Sequence, residues 1–373
     1  MTIAANEDQK RARALLQRMA APENLLASGT LLYALLGGMF LALIAVNPFP
    51  VVLKGFQAFA LFGYLIYNIL PIWLIVIILA IALGVAPVRR VLRARAARTL
   101  VAVVYCSVFV SLFSQVKNGI PLVFPFWADQ FFTRIDVTLH LGHQPYDLIG
   151  WLSGFDTSKL SRFYLNSWVI PASFFPALLV ACDPNAERRR VFILLWMAAW
   201  VVLGNLFAAV FLSYGPIFSD LFQNGPAEAH AGPLALLERA DARGLLALKM
   251  RLWGAYSGEV DMIGSGISAF PSVHVGMAAV IGLYVYRLGR DLACHQGLAA
   301  TLKRSISFLS AGLGGLYVLT YLALSVYLGW HYAVDGYAAV IIITGLYVAL
   351  AKTREENAQS TPQQSLMKQE LPG

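Results

Sequence analysis

Long apolar blocks alternate along the chain with short polar connections rich in arginine. Eight blocks stand out: Leu25–Val46, Phe59–Val85, Leu100–Val116, Leu165–Ala181, Val191–Ser213, Ile267–Tyr286, Ile306–Tyr327 and His331–Ala351. Most approach or exceed the ~20 residues that carry a helix across a hydrocarbon core. None alternates apolar and polar positions as a strand does. A backbone inside lipid must satisfy its own hydrogen bonds, so all eight are predicted to be helices. Phe59–Val85 is long and contains Pro71, which predicts tilt or a kink. The pattern predicts an all-α, polytopic integral membrane helix bundle of about eight transmembrane helices. Residues 1–24 form an N-terminal arm without the small-residue cleavage pattern of a signal peptide. Residues 25–99 hold two accessory helices and a basic loop, residues 100–351 the main membrane domain, and the polar segment 352–373 an expected disordered tail.

Composition narrows the class further. Of 373 residues, 58% are hydrophobic and 13% charged, against about 25% charged in an average soluble domain. That excludes a soluble globular protein and a disordered one. The net charge of +8 does not point to nucleic acid once its distribution is read. Basic residues cluster in the N-terminal arm (Lys10, Arg11, Arg13, Arg18), in the second loop (Arg89, Arg90, Arg93, Arg95, Arg98), in the fourth (Arg188, Arg189, Arg190), in the sixth (Arg290, Lys303, Arg304) and at the tail (Lys352, Arg354). With eight spans all five clusters fall on one side, and the opposing short loops are poor in Lys and Arg. Positive-inside reasoning then puts both termini in the cytoplasm. The three cysteines provide neither a disulfide framework nor a CxxC pair.

Two of the opposing loops are long. In Lys117–Tyr164, residues Trp127, Phe131, Ile135 and Leu139 recur at a spacing of four, which predicts a helix lying in the membrane interface or packed on the bundle. The loop Tyr214–Ser265 is rich in Gly, Pro and mixed charge. No internal repeat supports an inverted-repeat transporter.

Cys and Tyr aside, the spans hold three titratable residues: His274, His331 and Asp335. Such groups are costly in lipid and mark functional sites. The topology, which made no use of them, sets all three at one depth on the non-cytoplasmic face. His331 and Asp335 are four apart, hence on one helix face. A carboxylate there accepts the Nδ1–H of the imidazole and leaves Nε2 with its lone pair toward a substrate, as a nucleophilic histidine needs. Ser272 precedes His274 as a candidate helix cap. The free N–H groups of such a terminus suit phosphate, and His274 in the first turn is placed to protonate a leaving oxygen. Gly264 and Gly266 permit close backbone approach. Lys117, at the same end of the third span, is the candidate fixed cation for phosphate, or else a snorkelling lysine. Lys249 and Arg251 are weaker candidates. Alternative readings are satisfied polar residues between helices, a metal site on two histidines and a carboxylate, a transporter or channel with a histidine proton relay, and an intramembrane serine protease built on Ser268 and His331. The protease reading gives no task to Asp335, His274 or Lys117.

Ala269-Phe270-Pro271-Ser272-Val273-His274 resembles the second motif of the type 2 phosphatidic acid phosphatase superfamily. Gly329-Trp330-His331-Tyr332-Ala333-Val334-Asp335-Gly336 resembles its third. The intervening stretch holds one inward span, a loop and one outward span, as that fold requires. Lys117-Asn118-Gly119-Ile120-Pro121, the run Asp129…Asp136…His140…Gly142…Pro145, Gly204-Asn205 and Tyr214-Gly215-Pro216-Ile217-Phe218 are similar to the branch containing the inositol phosphorylceramide synthases and their bacterial relatives. The resemblance covers about residues 100–350. It implies a six-helix phosphatase-type core and a phosphotransferase or phosphatase acting on phospholipid headgroups through a phosphohistidine. By it, His331 is the nucleophile, Asp335 orients it, His274 is the general acid, and Lys117, Ser272 and Gly266 hold phosphate. It implies no cofactor and no metal, a lipid substrate, and a bacterial inner (plasma) membrane setting with the site facing the periplasm or exterior. Two positions depart from the phosphatases: Val273 stands for Gly, and Ser325 for an Arg six residues before His331. The lost arginine removes a bidentate phosphate contact. Either Arg251 replaces it or the site takes a less charged phosphodiester.

Overall fold

The computed structural model describes residues 22–44, 46, 80, 84–222, 225–240, 243–259, 266–294 and 297–367. The expected second span and the N-terminal arm lie almost wholly outside them. The described residues form helices and turns, with no strand. Helix α1 covers Pro22–Leu43, α2 Ala86–Gly119, α3 Asp129–Leu139, α4 Thr157–Cys182 and α5 Ala186–Ala198. The last of these continues through a π-helical stretch, Ala199–Phe207, and a short turn, Ala208–Val210. Then follow α6 Ala227–Arg239, α7 Arg243–Tyr256, α8 Val273–Ala293, α9 Ala300–Tyr327 and α10 Ala333–Met367. The protein is thus an all-α polytopic bundle.

Six described helices are long and apolar enough to cross a membrane: Asn24–Leu43, Arg93–Leu122, Thr157–Cys182, Ala186–Val210, Ala300–Tyr327 and Ala333–Lys352. The expected sixth span, now α8, is not among them, because Arg287, Arg290 and Asp291 in its last turns dilute its apolar run. It is nevertheless central to the bundle and packs most extensively on α9. Where those two cross, their backbones touch. A Cβ on Gly282 would sit 2.8 Å from the Gly314 carbonyl oxygen, the close approach that small residues permit between membrane helices. Helix α10 also runs past the expected end at Ala351 to Met367, where the sequence predicts disorder.

Apolar side chains from α1, α2, α5 and α8 fill the middle of the bundle, with Phe109, Phe192, Trp196, Leu203 and Met277 buried. Across it Asn205 donates to the Tyr33 hydroxyl at 2.7 Å. Helix α4 kinks at Phe174, between Pro171 and Pro176, where proline removes ladder donors and crowds the preceding turn.

The basic clusters that could be followed meet at one end. Arg188 grips Asp183 through Nε–Oδ2 and Nη2–Oδ1 at 2.7 and 2.6 Å and reaches Asp291 at 2.6 Å. Arg95 donates to the Asp183 carbonyl at 2.8 Å. This network ties the starts of α2 and α5 to the end of α8. His274, at the other end of α8, lies at the opposite end of the bundle.

Helix α3 is the helix predicted at spacing four. Phe131 and Leu139 are exposed, as is Trp127 just before it. Asp129, Phe132, Thr133 and Asp136 are buried. It both packs on the bundle and presents an apolar face outward.

Candidate active site

Three segments converge at the end remote from the arginine network: the last turn of α2, the entry to α8 and the turn between α9 and α10. The two histidine motifs are stitched together by backbone. The Ser272 N–H donates to the Asp335 carbonyl at 3.1 Å. His331 Nδ1 lies 2.8 Å from the Ala269 carbonyl. A carbonyl only accepts, so Nδ1 carries the proton and Nε2 is left with its lone pair. The tautomer expected for a nucleophile is therefore present, but its main anchor is not the expected one. Asp335 Oδ2 stands 3.4 Å from Nδ1 and accepts the Tyr332 N–H at 3.0 Å. Asp335 is a carboxyl group beside the ring, and the Ala269 carbonyl fixes the proton. Oδ1 of Asp335 is buried without a hydrogen-bond partner among the described residues.

The His274 and His331 rings face each other with centroids 5.7 Å apart at 61°. His274 lies against two aromatic rings of α4, Trp168 at 4.0 Å and Tyr164 at 4.7 Å, both near parallel. Trp168 Nε1 and the Tyr164 hydroxyl are buried without partners among the described residues. They are donors open to a ligand. Sequence reasoning missed this pair. Its signal was an aromatic i,i+4 repeat at the start of the fourth span, which reads equally as core.

Lys117 Nζ donates at 3.4 Å to the Ser268 carbonyl, the neighbour of the Ala269 carbonyl that holds His331. It faces the site and is not a snorkelling residue. Gly266 abuts it: a Cβ there would lie 2.5 Å from Lys117 Cγ and 3.0 Å from Asn118 Oδ1. The missing side chain of Gly266 lets this segment seat on Lys117. Ser272 caps α8, its Oγ accepting the Val275 N–H at 3.2 Å, and is wholly buried. Arg251 is exposed on α7, and among the described residues no hydrogen bond, ion pair or ring contact joins it to either histidine. Lys249 is bound to Asp220 at 2.6 Å. Ser325 itself is buried, and its carbonyl receives the His331 N–H at 3.2 Å.

Helix α3 underpins the turn that carries His331. Asp136 accepts the Ala333 and Val334 N–H groups at 2.8 and 2.9 Å, capping α10 from another helix. Asp129 accepts the Tyr214 and Gly215 N–H groups and the Tyr332 hydroxyl, each at 3.0 Å. Burial pushes its carboxyl up to about 6, against the pull of those donors. His140 Nε2 meets the Tyr337 hydroxyl at 2.9 Å. His230 of α6 covers this layer, 3.2 Å from Thr133 Oγ1, and burial lowers it to about 4. The turn also needs glycine. Gly215 has φ +87°, and a Cβ there would meet the Trp330 carbonyl at 2.6 Å. Gly329 has φ +71°, and its carbonyl takes the Ile217 N–H at 2.7 Å.

Among the described residues no group of three or more His, Cys, Asp and Glu is arranged to hold a metal. No family model, no curated protein and no solved structure matches the chain.

Proposed function

We propose that the protein is a membrane lipid phosphotransferase or phosphatase of the type 2 phosphatidic acid phosphatase kind, similar to inositol phosphorylceramide synthases, working through a phosphohistidine. The observation that carries the reading is the pair of adjacent histidines, one with its tautomer fixed to leave Nε2 free, beside a lysine whose ammonium reaches the Ser268 carbonyl. Nε2 of His331 attacks phosphorus while the bond to the leaving alkoxide breaks. Protonated His274 gives its proton to that alkoxide. The Ala269 carbonyl and Asp335 stabilise the imidazole as it gains positive character. An acceptor hydroxyl then attacks, its proton passes to His274, and the P–N bond breaks. Lys117 offsets charge on the phosphoryl oxygens.

Charge favours headgroup transfer from a phosphodiester over hydrolysis of a phosphomonoester. Ser325 supplies no cation. The positive end of α10 is already neutralised by Asp136. Lys117 is thus matched to a singly charged phosphodiester, with the Trp168 and Tyr164 donors left for neutral oxygens. Positive-inside reasoning supports an extracytoplasmic site, in a membrane we propose to be a bacterial plasma membrane.

The test is incubation of purified protein with labelled phospholipids, with and without ceramide, diacylglycerol or inositol. A new phospholipid identifies transfer, and released phosphate identifies hydrolysis. No turnover with any of these lipids, or turnover undiminished in His331→Ala, would overturn the proposal.

A further inference from the structure

A cavity of about 470 Å³ opens at the end remote from the histidines, where the start of α5 meets the end of α8 and the Tyr347–Ala351 stretch of α10. Helix rise puts it roughly 20–25 Å along α8 from His274. It is independent of the proposed catalytic site.

Its charges do not cancel. Asp291, the aspartate of the wall, is spent: Oδ2 binds Arg188 at 2.6 Å and Oδ1 binds Arg287 at 3.1 Å. Glu187 also lines the cavity, and its carboxylate pairs at 3.9 Å with Arg190, which lies outside the lining, so three arginines face two carboxylates there. Among the described residues Arg290 has no carboxylate partner. Its Nη1 donates to the Tyr286 hydroxyl at 3.5 Å, and its guanidinium lies over that ring. Arg287 engages Asp291 through Nε alone and is half-buried. The unspent donors facing the cavity are therefore cationic. Behind them the wall is apolar, with Phe192 and Leu350.

We propose that this cavity binds an anionic phospholipid of the adjoining leaflet, its phosphate on Arg290 and Arg287 and the start of an acyl chain on Phe192 and Leu350. Arginine matches phosphate with several donors at once, and basic pockets between membrane helices select anionic headgroups on this physical basis. The volume is that of a small-ligand site. A soluble anion would leave the apolar wall unfilled.

Native mass spectrometry of the full chain in neutral detergent tests this with dimyristoyl-phosphatidylglycerol, dimyristoyl-phosphatidylcholine and glycerol phosphate. The glycerol lipid is expected to bind at least roughly tenfold more tightly than the choline lipid. Arg290→Gln removes a charged contact at an exposed position and is expected to weaken it about tenfold. Ala351→Trp fills the cavity without changing charge and should weaken binding of the same lipid. Equal affinity for the two lipids, or unchanged phosphatidylglycerol binding in both variants, would overturn the proposal. So would glycerol phosphate binding as tightly as the lipid, since that identifies a soluble anion site.

Discussion

Removing the Asp136 carboxylate should loosen the turn that carries His331 from a helix that never touches the reacting atoms. Asp136 accepts the Ala333 and Val334 N–H groups at 2.8 and 2.9 Å in a buried setting. Each buried donor left without an acceptor costs about 1–3 kcal/mol, so Asp136→Ala is expected to cost about 2–6 kcal/mol locally. Asp136→Asn keeps one accepting oxygen but loses the charge at the helix end, and falls at about 1–3 kcal/mol. The lower bound of 2 kcal/mol corresponds to about a 30-fold shift in local opening. Hydrogen–deuterium exchange reads that opening directly. In Asp136→Ala, amides in the 329–336 peptide should exchange at least about 30-fold faster, with Asp136→Asn intermediate and α9 amides unchanged. Wild-type exchange at 333 and 334 in Asp136→Ala would refute the reasoning, and so would acceleration confined to α3.

Acid linkage isolates His230. Burial lowers its folded value to about 4 from about 6.5, so its contribution is fully present above pH 6.5 and is lost as pH falls through 4. The loss is at most about 3 kcal/mol at 1.36 kcal/mol per unit. Asp129, raised to about 6, acts oppositely, losing stability as pH rises from about 4 to 6. The quantity to measure is therefore the stability difference between wild type and His230→Asn, which should move in favour of the variant by about 3 kcal/mol from pH 7 to 4. A pH-independent difference would contradict the assignment. Gly215 and Gly329, which meet at the His331 turn, both have positive φ, but Gly329→Ala meets nothing closer than 3.5 Å and should cost only about 1–2 kcal/mol. Gly215→Ala drives a methyl onto the Trp330 carbonyl and should abolish a monodisperse species in size-exclusion chromatography. Equal behaviour of the two would count against the close packing. Lys117→Met should lower kcat/KM at least about 100-fold, while Arg251→Gln leaves it within about twofold; the reverse order would restore Arg251 as the phosphate cation.

The bundle and the meeting of His274, His331 and Asp335 at one end of it were legible because apolar runs and rare titratable groups are local signals. The helix cap at Ser272 was legible for the same reason. What escaped was set by contacts between distant segments. The carbonyl that fixes the His331 tautomer belongs to Ala269, 62 positions away, and a backbone acceptor has no residue type to betray it. The i,i+4 spacing correctly brought Asp335 near the ring but did not fix which acceptor the proton chooses. Asp129 and Asp136 stood out only by resemblance, since a carboxylate that caps another helix looks like any interfacial acid. Gly266 was read as permitting close backbone approach, and the segment it lets in is the one that carries Lys117. Arg251 was favoured by charge alone, and charge carries no direction; its side chain is exposed on α7. Helix α8 was recognised despite its charged end because its charges are gathered in the last turns.

The central claim is that His331 carries the phosphoryl group. Brief incubation with phospholipid labelled at the headgroup phosphorus, followed by alkaline quench and peptide mapping, measures it. The label should appear on the peptide containing His331, be acid-labile and base-stable, and vanish in His331→Ala together with turnover. Turnover that persists in His331→Ala, or label on another residue, would contradict the account.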